Sequence, residues 1–257
     1  EEGCSTVHVQ NKSHTLSGQT WDMHKSAKDY LCLIHAPATE NAPEMLSLSL
    51  VGCLGLMGIN THNLLVGVNN INTTNARAGI IWPLYVRRLL KEKSVMNARK
   101  YLEDAPVTSG HNYIVSDEAQ GEHWEVTPKL SERVGHVDAG SVGHAFHTNH
   151  CLGPKVQEHE DATSSSSTTH IRWNLLEKLV PNVRDLEDMF SLLTSHDGYP
   201  KALCSHFESG AQDPSFTCGG GIADLTAGRG RFWRGCPQED RNYKSVDFHL
   251  EAGHFIL

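Results

Sequence analysis

Short apolar runs separated by turn residues fill the first third of the chain. Ser5–Val9 and Tyr30–Ala36 are rich in β-branched and apolar residues. Leu46–Val51, Gly55–Ile59 and Leu64–Asn69 follow, divided by Gly, Asn and His. Regular short strands with turn signals between them predict a meandering antiparallel sheet. The period then changes. Between Ile80 and Lys91, the residues Ile81, Leu84, Tyr85, Arg88 and Leu89 recur at helical spacing, with Pro83 near the start, where proline is tolerated. Ser94 is a natural cap for a second helix reaching Glu103. Strands are expected again at His111–Ser116 and Gly121–Thr127, a hairpin turning at Asp117–Gln120, and at Ser141–Asn149. Lys155–Thr169 is polar, includes Ser164–Ser167, and reads as a surface loop. Helical spacing returns in His170–Leu179 and Asn182–Ser195. The remainder, Ser215–Leu257, reads as strands with turns at Gly219–Gly221, Gly228–Gly230 and Gly235–Pro237.

The order is therefore strands, helix pair, strands, helix pair, strands. It lacks the βαβ alternation of a parallel doubly wound sheet. Two antiparallel sheets packed together, each covered outside by a helix pair, would bury every apolar face. The expected class is α+β, a four-layer α-β-β-α sandwich. Residues 1–257 contain no repeat and no interdomain linker, so one domain is expected.

Composition narrows the classes further. With 39% hydrophobic and 20% charged residues, the chain suits a globular fold. Its longest apolar stretches, Met45–Ile59 and Asn63–Val68, are broken by Gly and polar residues, short of the roughly 20 residues a membrane-spanning helix needs. A net charge of −8 without a Lys/Arg stripe argues against nucleic acid as a partner. Nothing in the composition opposes a homo-oligomer. Seven cysteines, none in a C-x-x-C pair, suggest a reduced protein with several core thiols. The sequence opens Glu1-Glu2-Gly3-Cys4, with no Met and no signal peptide, so the compartment is unreadable beyond a lean towards the cytoplasm.

Cys4 is the first candidate for chemistry. A thiol needs a base or a depressed pKa to attack an amide. Were the Gly3–Cys4 bond cut, Cys4 would carry its own α-amine, whose ordinary pKa near 8 suits it to accept the thiol proton. The plain alternative is a small buried cysteine. Asp22, in Gln19-Thr20-Trp21-Asp22, would return towards Cys4 if Asn11–His14 forms a turn between two paired strands. Otherwise it is a turn or solvated residue. Asn149 could donate to an oxyanion without carrying charge. Asn69 and Asn70 could line a substrate cleft at a strand end, with His147 nearby, although a turn-forming Asn pair is as natural. His144, His147 and His150 recur every third residue and invite a metal proposal. Residues three apart on a strand face opposite sides, so they cannot converge on one ion, and no metal site is expected there. No cofactor motif is present: Gly219-Gly220-Gly221 lacks the Lys-Ser/Thr of a phosphate loop, and G-x-S-x-G is missing.

The ordered set Gly3-Cys4-Ser5-Thr6, Gln19-Thr20-Trp21-Asp22, Gly67-Val68-Asn69-Asn70, His147-Thr148-Asn149-His150, Leu203-Cys204-Ser205-His206, Ile222-Ala223-Asp224-Leu225 and Gly235-Cys236-Pro237 resembles the acyl-CoA:6-aminopenicillanate (isopenicillin N) acyltransferase family of N-terminal nucleophile hydrolases. The resemblance implies the same four-layer sandwich. It implies autocatalytic cleavage of a zymogen at Gly3–Cys4, leaving a short cleaved α-subunit as partner of the longer chain. Cys4 would be the nucleophile and its freed amine the base, Asp22 a support for the Cys4 environment, and Asn149 the oxyanion donor. The substrate would be a small-molecule amide or acyl thioester, processed through a thioester on Cys4. The chain departs from the pattern at Ser205, which stands where the penicillin enzyme has Arg. That departure opposes a penicillin-specific pocket. An amidohydrolase is the leading expectation, a CoA-dependent N-acyltransferase the second, and a catalytically silent binding protein with the same fold the third.

Overall fold

A computed structural model describes residues 3–161, 163 and 168–257. The strands are β1 (Thr6–Gln10), β2 (Thr15–His24), β3 (Leu31–Ala36), β4 (Met45–Leu50), β5 (Met57–Asn60), β6 (Leu65–Asn70), β7 (His111–Ser116), β8 (Gly121–Thr127), β9 (Leu130–Val137), β10 (Gly143–His147), β11 (Ser215–Asp224), β12 (Arg229–Arg234), β13 (Lys244–Glu251) and β14 (His254–Ile256). Two helices, α1 (Trp82–Leu89) and α2 (Val95–Glu103), lie between β6 and β7. After β10 come the short α3 (Pro154–Gln157), then α4 (Thr169–Leu179) and α5 (Leu186–Leu193).

The strands form two seven-stranded antiparallel sheets, ordered β10-β1-β2-β11-β12-β13-β14 and β3-β4-β5-β6-β7-β8-β9. Three apolar layers hold them. Trp21, Leu46, Leu48, Met57, Ile59, Ile114, Phe232 and Phe248 meet between the sheets. Val66, Val68, Tyr113 and Val115 pack outward against Val86, Leu89, Ala98 and Leu102 of α1 and α2. Val7, Val9, Leu16 and Ile222 pack outward against Leu176, Met189 and Leu193 of α4 and α5. The α-β-β-α sandwich follows. Central strands are covered on both faces, which is why Leu65–Val68 of β6 and Tyr113–Val115 of β7 lack polar alternation.

Several boundaries differ from the sequence expectation. The Gly219–Gly221 segment is not a turn but the middle of β11, next to β2 and β12. A Cβ at Gly220 would lie 2.4 Å from the Trp233 ring, and one at Gly221 would lie 2.6 Å from Phe232. The glycines make room for these two rings. The second helix of the later pair starts at Leu186, not Asn182, because Pro181 sits in a 3₁₀ turn and Asp185 caps the helix by accepting from Asp188 N. The expected 155–169 loop contains α3, and Ser164–Ser167 lie outside the described residues. The strand β9, polar and half-exposed, carried no clear apolar signal.

One polar side chain bridges the sheets. Gln19 of β2 donates from Nε2 to the Val68 carbonyl at 3.1 Å and accepts the Val68 N–H at 2.6 Å. A Cβ at Gly67 would stand 2.3 Å from Gln19 Oε1, so glycine is required beside this clamp. The clamp joins two of the sequence stretches that carried the family resemblance, and its work is structural.

Candidate active site

The Asn11–His14 turn closes as expected, with Asn11 N donating to the His14 carbonyl at 2.9 Å. The pairing of β1 with β2 sets Thr6 opposite Gln19. That register carries Asp22 back to Cys4: the Asp22 N–H points at Cys4 Sγ over 3.4 Å. Opposite Asp22, β11 slips register between Thr217 and Gly219. A bulge of this kind re-aims side chains beside it. Cys4 is 4% exposed and packs on the inter-sheet core, while the residue before it reaches a cavity.

That cavity, about 550 Å³, is walled by Gly3, Asp22, His24, Thr168 and Arg172 on one side. Pro200, Ala202, Ser205, Phe207 and Pro214 form part of the other. Its size suits a small ligand, and its lining mixes apolar surface with a few convergent polar groups. A Cβ at Gly3 would lie 2.8 Å from Asp22 Oδ2, so the backbone passes close against that carboxylate.

Arg172 was not foreseen. It lies on α4, is 1% exposed, and reaches across to the start of β1. Its Nη1 donates to the Cys4 carbonyl at 2.7 Å and to Ser5 Oγ at 3.0 Å, and its Nη2 donates to Asn149 Oδ1 at 2.7 Å. Burial pulls its pKa below the ordinary arginine value, opposed by the neighbouring Asp22 and Cys4. In sequence Arg172 is one basic residue in a helix, and nothing in the helical pattern separates it from a solvated one.

Asn149 is thus held through Arg172 rather than against Cys4 itself. Its Nδ2 donates to the Asn70 carbonyl at 2.9 Å, and its backbone N–H donates to Thr169 Oγ1 at 2.8 Å. One N–H of the amide remains for another acceptor. Asn69 and His147 sit elsewhere. Both are buried in a network where Asn69 Oδ1 accepts from Thr6 Oγ1 at 3.1 Å and from Asn112 Nδ2 at 2.7 Å. His147 Nε2 lies 2.7 Å from Glu125 Oε1, and Glu125 also accepts the backbone N–H groups of Leu152 and Gly153. Among the described residues, Asn69, Asn70 and His147 do not line the cavity. Asn70 contributes its carbonyl to Asn149, and the other two brace the strands behind it.

The acyl-coenzyme A:6-aminopenicillanic acid acyl-transferase family matches residues 9–213. The chain belongs to that family. Solved structures agree on the fold. A variant of the conjugated bile acid hydrolase from Clostridium perfringens superimposes with a TM-score of 0.63 at 12% identity, covering 95% of this chain and 92% of that one. The N-acylethanolamine-hydrolyzing acid amidase ortholog of Caenorhabditis elegans gives 0.57 at 14% identity, covering 87% and 93%. Penicillin V acylase from Agrobacterium tumefaciens gives 0.50 at 12% identity, covering 95% and 86%. These likenesses show a shared fold, and the family match supports an acyl-transferring or amide-hydrolysing enzyme. No curated protein matches the chain significantly.

Proposed function

We propose that the protein is an amidohydrolase that cleaves a small N-acyl amine or peptide-like amide through a thioester on Cys4, after cutting its own Gly3–Cys4 bond. The observation that carries this reading is that the Asp22 N–H meets Cys4 Sγ and the Arg172 guanidinium holds the Cys4 carbonyl, while Gly3, Asp22 and Arg172 line one cavity beside them.

Maturation needs Sγ to attack the Gly3 carbonyl carbon. The peptide C–N bond breaks, a thioester forms, and the Cys4 nitrogen takes a proton. Water then resolves the thioester, leaving a carboxylate on Gly3 and a free amine on Cys4. Departure of Gly3 from the cavity wall uncovers the thiol. In turnover the Cys4 amine takes the thiol proton and Sγ attacks the substrate carbonyl. Arg172 fixes the Cys4 carbonyl, so sulfur and amine are presented in one orientation. The remaining Asn149 N–H is the donor for the developing oxyanion. The protonated amine then gives its proton to the substrate's leaving nitrogen as the amide C–N bond breaks, and water hydrolyses the thioester. Ser205 on the cavity wall, in place of Arg, opposes a penicillin-specific pocket.

A panel of N-acyl amines, assayed beside acyl-CoA with and without an acceptor amine, tests the reading. Amide turnover with an acyl adduct on Cys4 supports it. Thioester turnover that requires the amine replaces hydrolysis by transfer. No turnover and no preferential iodoacetamide labelling of Cys4 would leave only a binding protein.

A further inference from the structure

The segment between α5 and β11, residues 194–214, has no helix or strand, yet Pro200, Ala202, Ser205 and Phe207 within it build one wall of the cavity. A long irregular stretch holds one shape only if something staples it. Two of its histidines turn inward to the same point. His196 Nε2 lies 3.3 Å from His206 Nε2 and 3.2 Å from Cys236 Sγ, and the three atoms are all within 4.8 Å of one another. Cys236 belongs to the turn between β12 and β13. The Cys204 thiol is buried nearby on the same segment.

Protons alone satisfy this cluster poorly. A single imidazole nitrogen donates or accepts one hydrogen bond in its plane, so His196 Nε2 cannot serve both His206 and Cys236 well. One cation can serve all three. A tetrahedral zinc ion, with its usual nitrogen and sulfur bond lengths, sets ligand atoms about 3.3 Å apart for N–N and about 3.6 Å for N–S. The distances here are 3.3 and 3.2 Å, and His206 Nε2 lies within 4.8 Å of Cys236 Sγ, so the three atoms can close on one ion. The Gln238 N–H donates to Cys236 Sγ at 3.4 Å, a contact that favours a thiolate ligand. Glu239 adds negative charge beside the cluster, with Oε1 3.8 Å from His196 Nδ1 and Oε2 3.7 Å from His206 Nε2.

We propose that His196, His206 and Cys236 bind one zinc ion that staples the 194–214 segment to the β12–β13 turn and so fixes the outer wall of the cavity. Three protein ligands leave the fourth tetrahedral position to water.

The purified full chain, dialysed against excess zinc and then against metal-free buffer, is assayed for metal by plasma mass spectrometry. About one zinc per chain is expected, falling at least tenfold in H206A and C236A. A folded wild-type chain that retains no zinc overturns the proposal. Because the variants could fail to fold, cobalt substitution of the wild type provides a second readout. Intense tetrahedral d–d bands with a thiolate-to-cobalt charge-transfer band are expected; a weak octahedral spectrum counts against the site. Peptide mapping under non-reducing conditions adds a third. A Cys204–Cys236 peptide pair two hydrogens lighter in the folded protein as purified, with no zinc present, replaces the metal by a disulfide.

Discussion

Arg172 donates to the main-chain carbonyl of Cys4 across 2.7 Å, linking a helix outside one sheet to the residue that opens the chemistry. The same guanidinium holds Asn149, so one buried cation positions both groups. Removing a buried charge that others face leaves its partners unpaired. The Arg172→Gln variant should lose about 3 kcal/mol of stability in urea unfolding and should not cut Gly3–Cys4. Arg172→Lys keeps the charge but not the fork, and should fold better than it processes. Full processing in Arg172→Gln contradicts the positioning role.

Cys4→Ala should abolish self-cleavage and turnover together, because both steps use the same sulfur. Cys4→Ser should retain slow cleavage through the analogous N-to-O shift while losing most amide turnover. Gel mobility reports the first property and a steady-state assay the second. Normal activity in Cys4→Ala removes the mechanism.

Asn149→Ala should lower kcat by about 10²–10³, the usual effect of losing one oxyanion donor. KM should change little. Since Asn149 also receives Arg172, Asn149→Asp keeps an acceptor for the guanidinium and isolates the donor's contribution. An unchanged kcat in both variants would assign the oxyanion to another group.

Gln19→Leu should destabilise the fold without touching the thiol. It leaves the buried N–H and carbonyl of Val68 facing no partner on that side, at about 1–3 kcal/mol for each unsatisfied group. Gly67→Ala should do similar damage by pushing Gln19 away. Denaturant midpoints would check both. A midpoint unchanged from wild type in Gln19→Leu contradicts the clamp.

Stability should fall as the solution is acidified. Burial pushes His8, His111 and His150 each down to about 4, and His123 well below its ordinary value. These rings stay neutral in the folded chain at pH values where the unfolded chain protonates them. The unfolded state therefore binds more protons between about 6.5 and 4, and stability declines as pH drops through that window. Glu44 pulls the same way at lower pH. Its carboxylate accepts from His254, the Phe255 N–H and His35, which hold its pKa at about 2 against burial that raises it. Its contribution is present above the ordinary carboxylate pKa and is lost as pH falls to about 2. Thermal melts between pH 8 and 4 should show Tm dropping on the acid side of 6.5, and a flat profile contradicts this.

The central strands were legible because apolar layers cover both their faces, and the helix pairs because Tyr85 and Leu89, or Met189 and Leu193, repeat at helical spacing. The hairpin returning Asp22 to Cys4 was legible from one turn, Asn11–His14. The glycine run in β11 was misread as a turn, since sequence shows a missing side chain but not the Trp233 and Phe232 rings that need the space. Asn69 and His147 were placed at a substrate cleft because polar residues at strand ends usually face one; here Thr6, Asn112 and Glu125, brought from other strands, bury them. Arg172 and the His196–His206–Cys236 cluster depend wholly on distant contacts. No local pattern announces them.

Intact-mass spectrometry of purified wild-type protein, together with its Cys4→Ala variant, tests the central claim most directly. Active wild-type protein should contain a chain whose first residue is Cys4, and the variant should retain the Gly3–Cys4 peptide bond. Active wild-type protein with that bond whole would show that its sulfur works without a terminal amine beside it.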